Sequence, residues 1–424
     1  MYVGFVVTVF VTAYVMIIIG KLNRSTIAFS AGMLLVFAKI FSEYEFEQIG
    51  ELIDFNTLGL LIGMMIIASV IGGTGFFQYL SISVIKLSKG RTRLLLFFLL
   101  LMVGVFSALL DKVTTIILFA PILFLIADSL GKSPIPIVFA SIMAANIGGT
   151  ATLIGAPSNV LIGSASHLGF VDFITATGPI AGVMLLLFAV YSDRKIFGKL
   201  ADIKAELKEL PGKDPSRAIR SKRDLKICLS VFAGVLIGFS FHEILGYEPS
   251  VIALGGAAAV LLLTRKSFSE LATEIEWDTL LFFIGLFLLS SALNVVGIAD
   301  ILSTNLSALA LHDGFFHIFL LWITAILAAI FGAVPTVAVL IPIIRTITMD
   351  YGTPLDIWWA ISIGASFGGS ITITGDATNM VGLGMMEKYM KTRVTYFEFL
   401  KFSLPPALIA LIGGTIYVAL RYAF

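Results

Sequence analysis

Apolar positions in this chain come in long runs rather than in alternation. Cut at charged or Gly/Pro-rich breaks, the runs fall near 2 to 20, 25 to 42, 55 to 85, 94 to 127, 134 to 166 and 173 to 192. After a polar stretch they resume near 227 to 243, 249 to 264, 277 to 298, 314 to 349, 356 to 386 and 402 to 422. Stretches such as LLLFFLLLMVGVF exclude the ~10-residue alternating strands of a lipid-facing barrel. Runs of ~20 apolar residues instead predict helices that cross a bilayer. The chain is therefore expected to be an all-α polytopic membrane protein.

The two series of runs match each other. EWDTLLFFIGLFLL (276 to 289) resembles DFNTLGLLIGMMII (54 to 67), VPTVAVLIP (334 to 342) resembles VTTIILFAP (113 to 121), and SFGGSITITGDATN (366 to 379) resembles NIGGTATLIGAPSN (146 to 159), at offsets of 222, 221 and 220. Shared Gly, Pro, Thr and Asn are not what lipid exposure selects, so a duplicated unit is expected. The runs at 94 to 127 and 314 to 349 are read as re-entrant hairpins and those at 134 to 166 and 356 to 386 as broken helices. The first repeat, 1–192, then holds three helices, an inner hairpin at 91–128, a broken helix at 134–166 and a helix at 173–192. The second, 227–424, holds three helices, an outer hairpin at 304–349, a broken helix at 356–388 and a helix at 402–422.

Charge fixes the expected orientation. Residues 193–226 carry eleven Lys/Arg and six Asp/Glu around LPGKDPS and read as a cytoplasmic linker. With five crossings per unit, Lys21/Arg24, Lys86 to Arg93, Arg265/Lys266 and Lys388 to Lys401 share its side. The acidic loop 43 to 54 falls outside, as do both termini. A single tilted helix in place of each hairpin would give six crossings and break this agreement. An odd number forces opposite orientations, an inverted repeat of two five-helix units, which is a transporter architecture. The first positive charges follow the first apolar run instead of preceding it, so that helix is expected to be retained in the cell membrane.

Composition adds exclusions. Charged residues make up 13% of the chain, about half of the ~25% usual in soluble domains. A formal charge of +1 gives no reason to expect nucleic acid, and the single Cys228 excludes an internal disulfide or a multi-thiolate metal site. His167, His242, His312 and His317 lack metal-ligand spacing. No Walker loop is present, so ATP drive would need a cytoplasmic ATPase partner.

Gly148, Gly149, Gly155 and Pro157 should break the helix in the first repeat, and Gly368, Gly369 and Gly375 in the second. Unwound backbone at bilayer depth survives only where protein buries it or where it lines a wet cavity. Asp111 and Lys112 lie inside an apolar run where a hairpin would turn, either as a mutually neutralising pair or as an ion or proton site. Asp376 has no basic neighbour in sequence, and Arg345 reads either as its partner, as an anion ligand or as a side chain snorkelling to the interface.

On SALLDKVTT with Pro121, NIGGTATLIGAPSN and SFGGSITITGDATN, the chain resembles the ion transporter superfamily, in particular its arsenite/antimonite permease, sodium/proton antiporter type D and melanosomal P-protein group with a citrate-transporter-like permease domain, and more distantly the divalent anion:sodium symporters. The resemblance implies an elevator-type mechanism in a homodimer. It implies a first site of Asp111, Lys112, Thr114, Thr115, Asn146, Thr150, Ser158 and Asn159. The implied second site comprises Thr336, Ser366, Thr372, Asp376, Thr378 and Asn379. The Ser-Asn-Thr tips of dicarboxylate symporters are replaced by Asp111-Lys112-Val113 and Gly332-Ala333-Val334, and Lys112 stands where the P-protein pattern has Asn, as if its ammonium replaced a sodium ion.

Three functions follow as expectations: a proton- or sodium-coupled transporter of a small inorganic anion or a metalloid such as arsenite; a sodium/proton antiporter; or a dicarboxylate/citrate-type permease or channel. An enzyme is not expected, because no nucleophile with a base and no metal cluster stands out. Nor is any cofactor expected beyond a coupling ion, Na+ or H+; the partners are the small solute and membrane lipid.

Overall fold

The computed structural model describes all residues except 1, 20–21, 42–49, 51, 90, 196–214, 299, 305–314, 352–355, 392 and 423–424. Most of the acidic loop, the middle of the linker, His312 and the expected start of the outer hairpin lie outside the described residues. Those described form eighteen helices longer than one turn: α1 (Tyr2–Ile19), α2 (Arg24–Phe37), α3 (Phe55–Gly73), α4 (Phe76–Leu87), α5 (Thr92–Leu110), α6 (Lys112–Ser129), α7 (Ile135–Gly149), α8 (Pro157–Ser166), α9 (Phe170–Ala176), α10 (Gly178–Lys195), α11 (Lys222–Ser240), α12 (Pro249–Thr264), α13 (Trp277–Val295), α14 (Phe315–Phe331), α15 (Ala333–Tyr351), α16 (Ile357–Gly369), α17 (Ala377–Met390) and α18 (Tyr396–Tyr422). By length and composition α1, α3, α5, α6, α13 and α18 can each cross a membrane, and α9 with α10 can do so as one span bent by 51°.

Three of the departures from the hydropathy pattern have a local reason. The run near 55 to 85 is two helices because the chain turns at Gly75, φ 84°, where the end of the linker docks: Arg220 N donates to Thr74 O at 2.9 Å. A side chain at Gly75 would collide with the Ala218 carbonyl. The run from 173 begins earlier, as the short α9, because the Asp172 carboxylate accepts from Gly169 N and starts a turn there. The last helix starts at Tyr396 rather than 402, because Thr395 and Glu398 cap it reciprocally: Glu398 N donates to Thr395 Oγ1 at 3.3 Å and Thr395 N to Glu398 Oε2 at 2.8 Å.

The helices pack in two groups. In one, α2 lies along α13 and α3 along α12, with α1 and α11 outside them. Between helices in lipid the hydrophobic effect is weak, so close approach of small residues has to supply the packing. Gly285 meets the backbone of Ala28 and Gly63 that of Ala253, so closely that neither glycine has room for a methyl group. The helix starts are tied in the same way. Asp278 accepts from Asn23 Nδ2 at 3.2 Å and Ser25 Oγ at 3.0 Å; Asn56 donates to Glu248 Oε2 at 3.0 Å and accepts from Ser250 N at 3.0 Å. In the other group α5 packs on α7 and α14 on α16, while α6 lies against α17 and α15 against α8, so the halves of the chain interlock.

Candidate functional site

Both expected breaks occur: α7 stops at Gly149 and α8 begins at Pro157, while α16 stops at Gly369 and α17 begins at Ala377. The free backbone groups are satisfied the same way in each. Asn159 Nδ2 donates to Thr152 O at 2.8 Å, and Asn379 Nδ2 to Thr372 O at 2.7 Å. Gly155 N donates to Thr152 Oγ1 at 3.0 Å, and Gly375 N to Thr372 Oγ1 at 2.9 Å. These hydroxyls in turn donate to Ala108 O and Ala329 O in the preceding helices. Gly149 faces Gly155, and Gly369 faces Gly375, with no room for a Cβ at any of the four. Each turn between paired helices is fastened to a break: Lys112 N donates to Gly155 O at 3.1 Å and Ala333 N to Gly375 O at 2.8 Å. Thr152, Asn159, Thr372 and Asn379 thus supply the partners that lipid cannot. Thr150 Oγ1 bonds back to Asn146 O at 3.0 Å.

The charged residues meet across the halves. Lys112 Nζ lies 2.5 Å from Asp376 Oδ2, both residues at least 96% buried. This corrects two sequence-based readings. Lys112 pairs with Asp376 rather than with its neighbour Asp111, and Asp376 is partnered by Lys112 rather than by Arg345. Asp111 instead caps α6, its carboxylate accepting from Val113 N at 2.7 Å and Thr114 N at 3.2 Å. Its backbone sits at φ 132°, ψ 155°, a region close to exclusive to glycine, and the equivalent turn residue of the second half is Gly332 at φ 103°. At the positions equivalent to Lys112 and Asp376 stand Ala333 and Ala156, so only one of two matched slots carries charge. Asn146 Nδ2 donates to Asn379 Oδ1 at 2.8 Å, and Ser362 Oγ to Asn159 Oδ1 at 2.8 Å; these too cross the halves.

Among the described residues, six buried oxygens of the expected site residues have no hydrogen-bond partner: Thr115 Oγ1, Asn146 Oδ1, Ser158 Oγ, Thr336 Oγ1, Ser366 Oγ and Thr378 Oγ1. They are three matched pairs. Thr115 and Thr336 lie in the first turns of α6 and α15, Asn146 and Ser366 near the ends of α7 and α16, and Ser158 and Thr378 in the first turns of α8 and α17. Five are hydroxyls and one is an amide carbonyl, and a buried polar group without a partner costs about 1–3 kcal/mol.

A cavity of about 720 Å³ reaches the Lys112–Asp376 pair from the end of the molecule where α2 and α13 begin. Its wall includes Arg24, Asp111, Lys112, Glu276, Asp278 and Asp376, besides Gly332 to Pro335. A second cavity of about 550 Å³ lies against α8, α13 and α15 and carries Asp54 and an exposed Arg345.

The CitMHS family model, described as citrate transporter, matches residues 14–364. The chain belongs to the CitMHS citrate transporter family. As a CitMHS protein it is 32% identical over 98% of its length to an uncharacterized transporter of Mycobacterium tuberculosis, of which the match covers 98%. It is 28% identical to the magnetosome protein MamN of Magnetospirillum gryphiswaldense, over 98% of this chain and 99% of that one. The mouse P protein is 27% identical over 98% of this chain and 60% of its own, longer length. In fold the CitMHS chain is similar to the YdaH transporter of Alcanivorax borkumensis, with a TM-score of 0.57 at 17% identity over 86% of this chain and 85% of that one. It is similarly close to MtrF of Neisseria gonorrhoeae, at 0.56 and 16% over 87% and 82%. The CitMHS chain is an integral membrane transporter.

Sequence reasoning missed Arg24, Glu276 and Asp278 on the cavity wall of this CitMHS protein. The signal was present: EWDTL matches DFNTL at the starts of α13 and α3, so carboxylates recur at equivalent helix starts. They read as ordinary ends of crossing helices because the sequence does not reveal that a cavity opens there.

Proposed function

We propose that this CitMHS chain exchanges a small monovalent cation for a proton at the Lys112–Asp376 pair, as a secondary active transporter. The observation that carries this reading is the pair itself, a buried ammonium and carboxylate on a cavity wall whose carboxylates, Asp111, Glu276, Asp278 and Asp376, outnumber its cations, Arg24 and Lys112. An acidic wall concentrates cations and opposes a multiply charged anion. A cation reaching Asp376 displaces the ammonium, and Lys112, buried without its partner, gives up its proton. A returning proton reverses the exchange. The pair is neutral in both states, so neither form bears the cost of carrying net charge through a low-dielectric interior.

The six orphaned oxygens, next to unwound backbone at two breaks, support sodium as the coupling or transported ion. Hydrogen bonds recurring at offsets of 220 and 221 support a duplication of 1–192 in 227–424. Its inversion is supported by the helix starts: α3 begins beside α12, whereas its counterpart α13 begins beside α2. In this reading the linker 193–226 is cytoplasmic, both termini are outside, and the 720 Å³ cavity faces the cytoplasm. The group α5–α8 with α14–α17 then moves as one body against α1–α3 and α11–α13, an elevator.

A second reading is a small anion or metalloid acid, arsenite or citrate among them, that enters with protons. It is favoured by Arg24 and Lys112 sharing the cavity wall and by the family's description. Proteoliposomes with an internal pH dye separate the two. Cation exchange gives proton flux on addition of sodium, lithium or potassium chloride. A silent dye with every cation, together with proton-driven accumulation of labelled citrate or arsenite, would replace it with the second reading.

A further inference from the structure

Glu276 precedes the first residue of α13 and lines the 720 Å³ cavity. Thr279 Oγ1 donates to its Oε2 at 3.0 Å, while its Oε1 is buried without a partner among the described residues. The charged groups facing it are Arg24 from α2, which stacks over Phe282 with 5.1 Å to the ring centroid, Asp278 on its own helix, and Asp111 at the turn before α6; Lys112 and Asp376 lie on the same wall. The parts of α1, α3 and the α14–α15 turn that complete the wall bring no charge. Its counterpart Asp54, at the start of α3, lines the 550 Å³ cavity instead. Two equivalent helix starts therefore each present a carboxylate to a different cavity.

We propose that Glu276 is the proton-loading group of this cavity. It takes the proton that Lys112 releases, the Lys N–H breaking as the Glu O–H forms, and passes it to water at the mouth; on the reverse half-cycle it returns the proton to the amine. The inference rests on the proton-coupled reading above. The cavity of about 720 Å³ is roomy enough for water, so the relay needs no direct contact between the two side chains. Burial first, and the nearby Asp111 carboxylate second, push the Glu276 carboxyl up to about 7, against the opposing pull of the Thr279 hydroxyl and Arg24. A relay works best when its affinity for the proton matches the operating pH.

The test uses the full chain in everted membrane vesicles, whose bath contacts the cytoplasmic face. The initial rate of sodium-, lithium- or potassium-evoked proton flux is measured against bath pH. Wild type is expected to titrate with a midpoint near 7. Glu276→Gln, which keeps an acceptor for Thr279, is expected to lose that limb and at least about tenfold in rate, general acid–base groups contributing ~10²–10⁴. Glu276→Asp is expected to restore a titrating limb. An unchanged limb in Glu276→Gln, or an equal loss in Glu276→Asp, overturns the relay while leaving exchange itself standing. A wild type with no proton flux for any cation overturns both, and is distinguished because it needs no substitution.

Discussion

Asn146 and Asn379, 233 positions apart in the chain, join their side-chain amides at 2.8 Å in the completely buried interior. Asn379 accepts that bond with Oδ1 while its Nδ2 donates to the carbonyls of Gly369 at 2.9 Å and Thr372 at 2.7 Å, so one side chain closes a helix break and bridges the two halves. Asn379→Ala should leave these acceptors unpaired and cost on the order of 2–4 kcal/mol, seen as a lower melting temperature in detergent. Asn146→Ala should cost less, and the double variant less than the sum by about 1 kcal/mol. Additive losses would mean that the amides are not coupled.

Removing one member of the Lys112–Asp376 pair strands the other in the interior. Lys112→Met or Asp376→Asn should lower stability by about 3–5 kcal/mol and abolish exchange. Lys112→Met with Asp376→Leu should regain most of the stability, because a matched apolar pair replaces a matched charged one, yet remain inactive. Thermal melts and flux on the same preparations would separate a structural pair from a working one. Recovery of both properties in the double variant would remove the pair from the exchange site.

Asp111 combines a strained backbone with a useful carboxylate. Asp111→Gly should relieve about 1–3 kcal/mol of strain while losing a cap worth about 1 kcal/mol, so its melting temperature should stay near wild type or rise. Asp111→Ala keeps the strain and loses the cap, and should melt lower than either. Both should reduce the apparent cation affinity of transport if the carboxylate helps to draw cations in.

The orphaned hydroxyls invert the usual expectation for a polar-to-apolar change. Thr115→Val and Thr336→Val remove unpaired oxygens, so in sodium-free buffer they should be neutral or slightly stabilising. If sodium is the ion, wild type is expected to show a sodium-dependent rise in melting temperature through RT ln(1 + [L]/Kd), and each variant to lose it. An unchanged sodium response in both variants would separate these hydroxyls from any ion site.

The raised Glu276 carboxyl also bears on stability. Its ordinary value of 4.5 becomes about 7 in the folded chain, so folding favours the protonated form and stability falls as pH climbs from about 4.5 to about 7, then levels off. Glu276→Gln should therefore melt higher than wild type at pH 8 and at the same temperature below pH 4.5, on the order of a few kcal/mol at most. Matching melts at both pH values would show an unperturbed carboxyl.

Much was settled by local physics acting on short stretches of sequence. Apolar runs of membrane length specify helices because a backbone in lipid must bond to itself, and the Gly, Pro and Asn clusters at 146 to 159 and 366 to 379 mark where it cannot do so unaided. The likeness of these two stretches was legible because the same close approaches and side-chain braces stand in both, at Gly149 and Gly369, Thr152 and Thr372, Asn159 and Asn379. What composition and spacing could not provide was which polar groups meet. Lys112 stands beside Asp111 in the chain, yet it bonds to Asp376, because Asp111 turns its carboxylate onto the start of α6 and the turn itself is fastened to the break at Gly155. Nor could periodicity reveal that Glu276 and Asp54, matched in sequence, line different cavities, since a cavity belongs to how helices from both halves pack and not to any one of them.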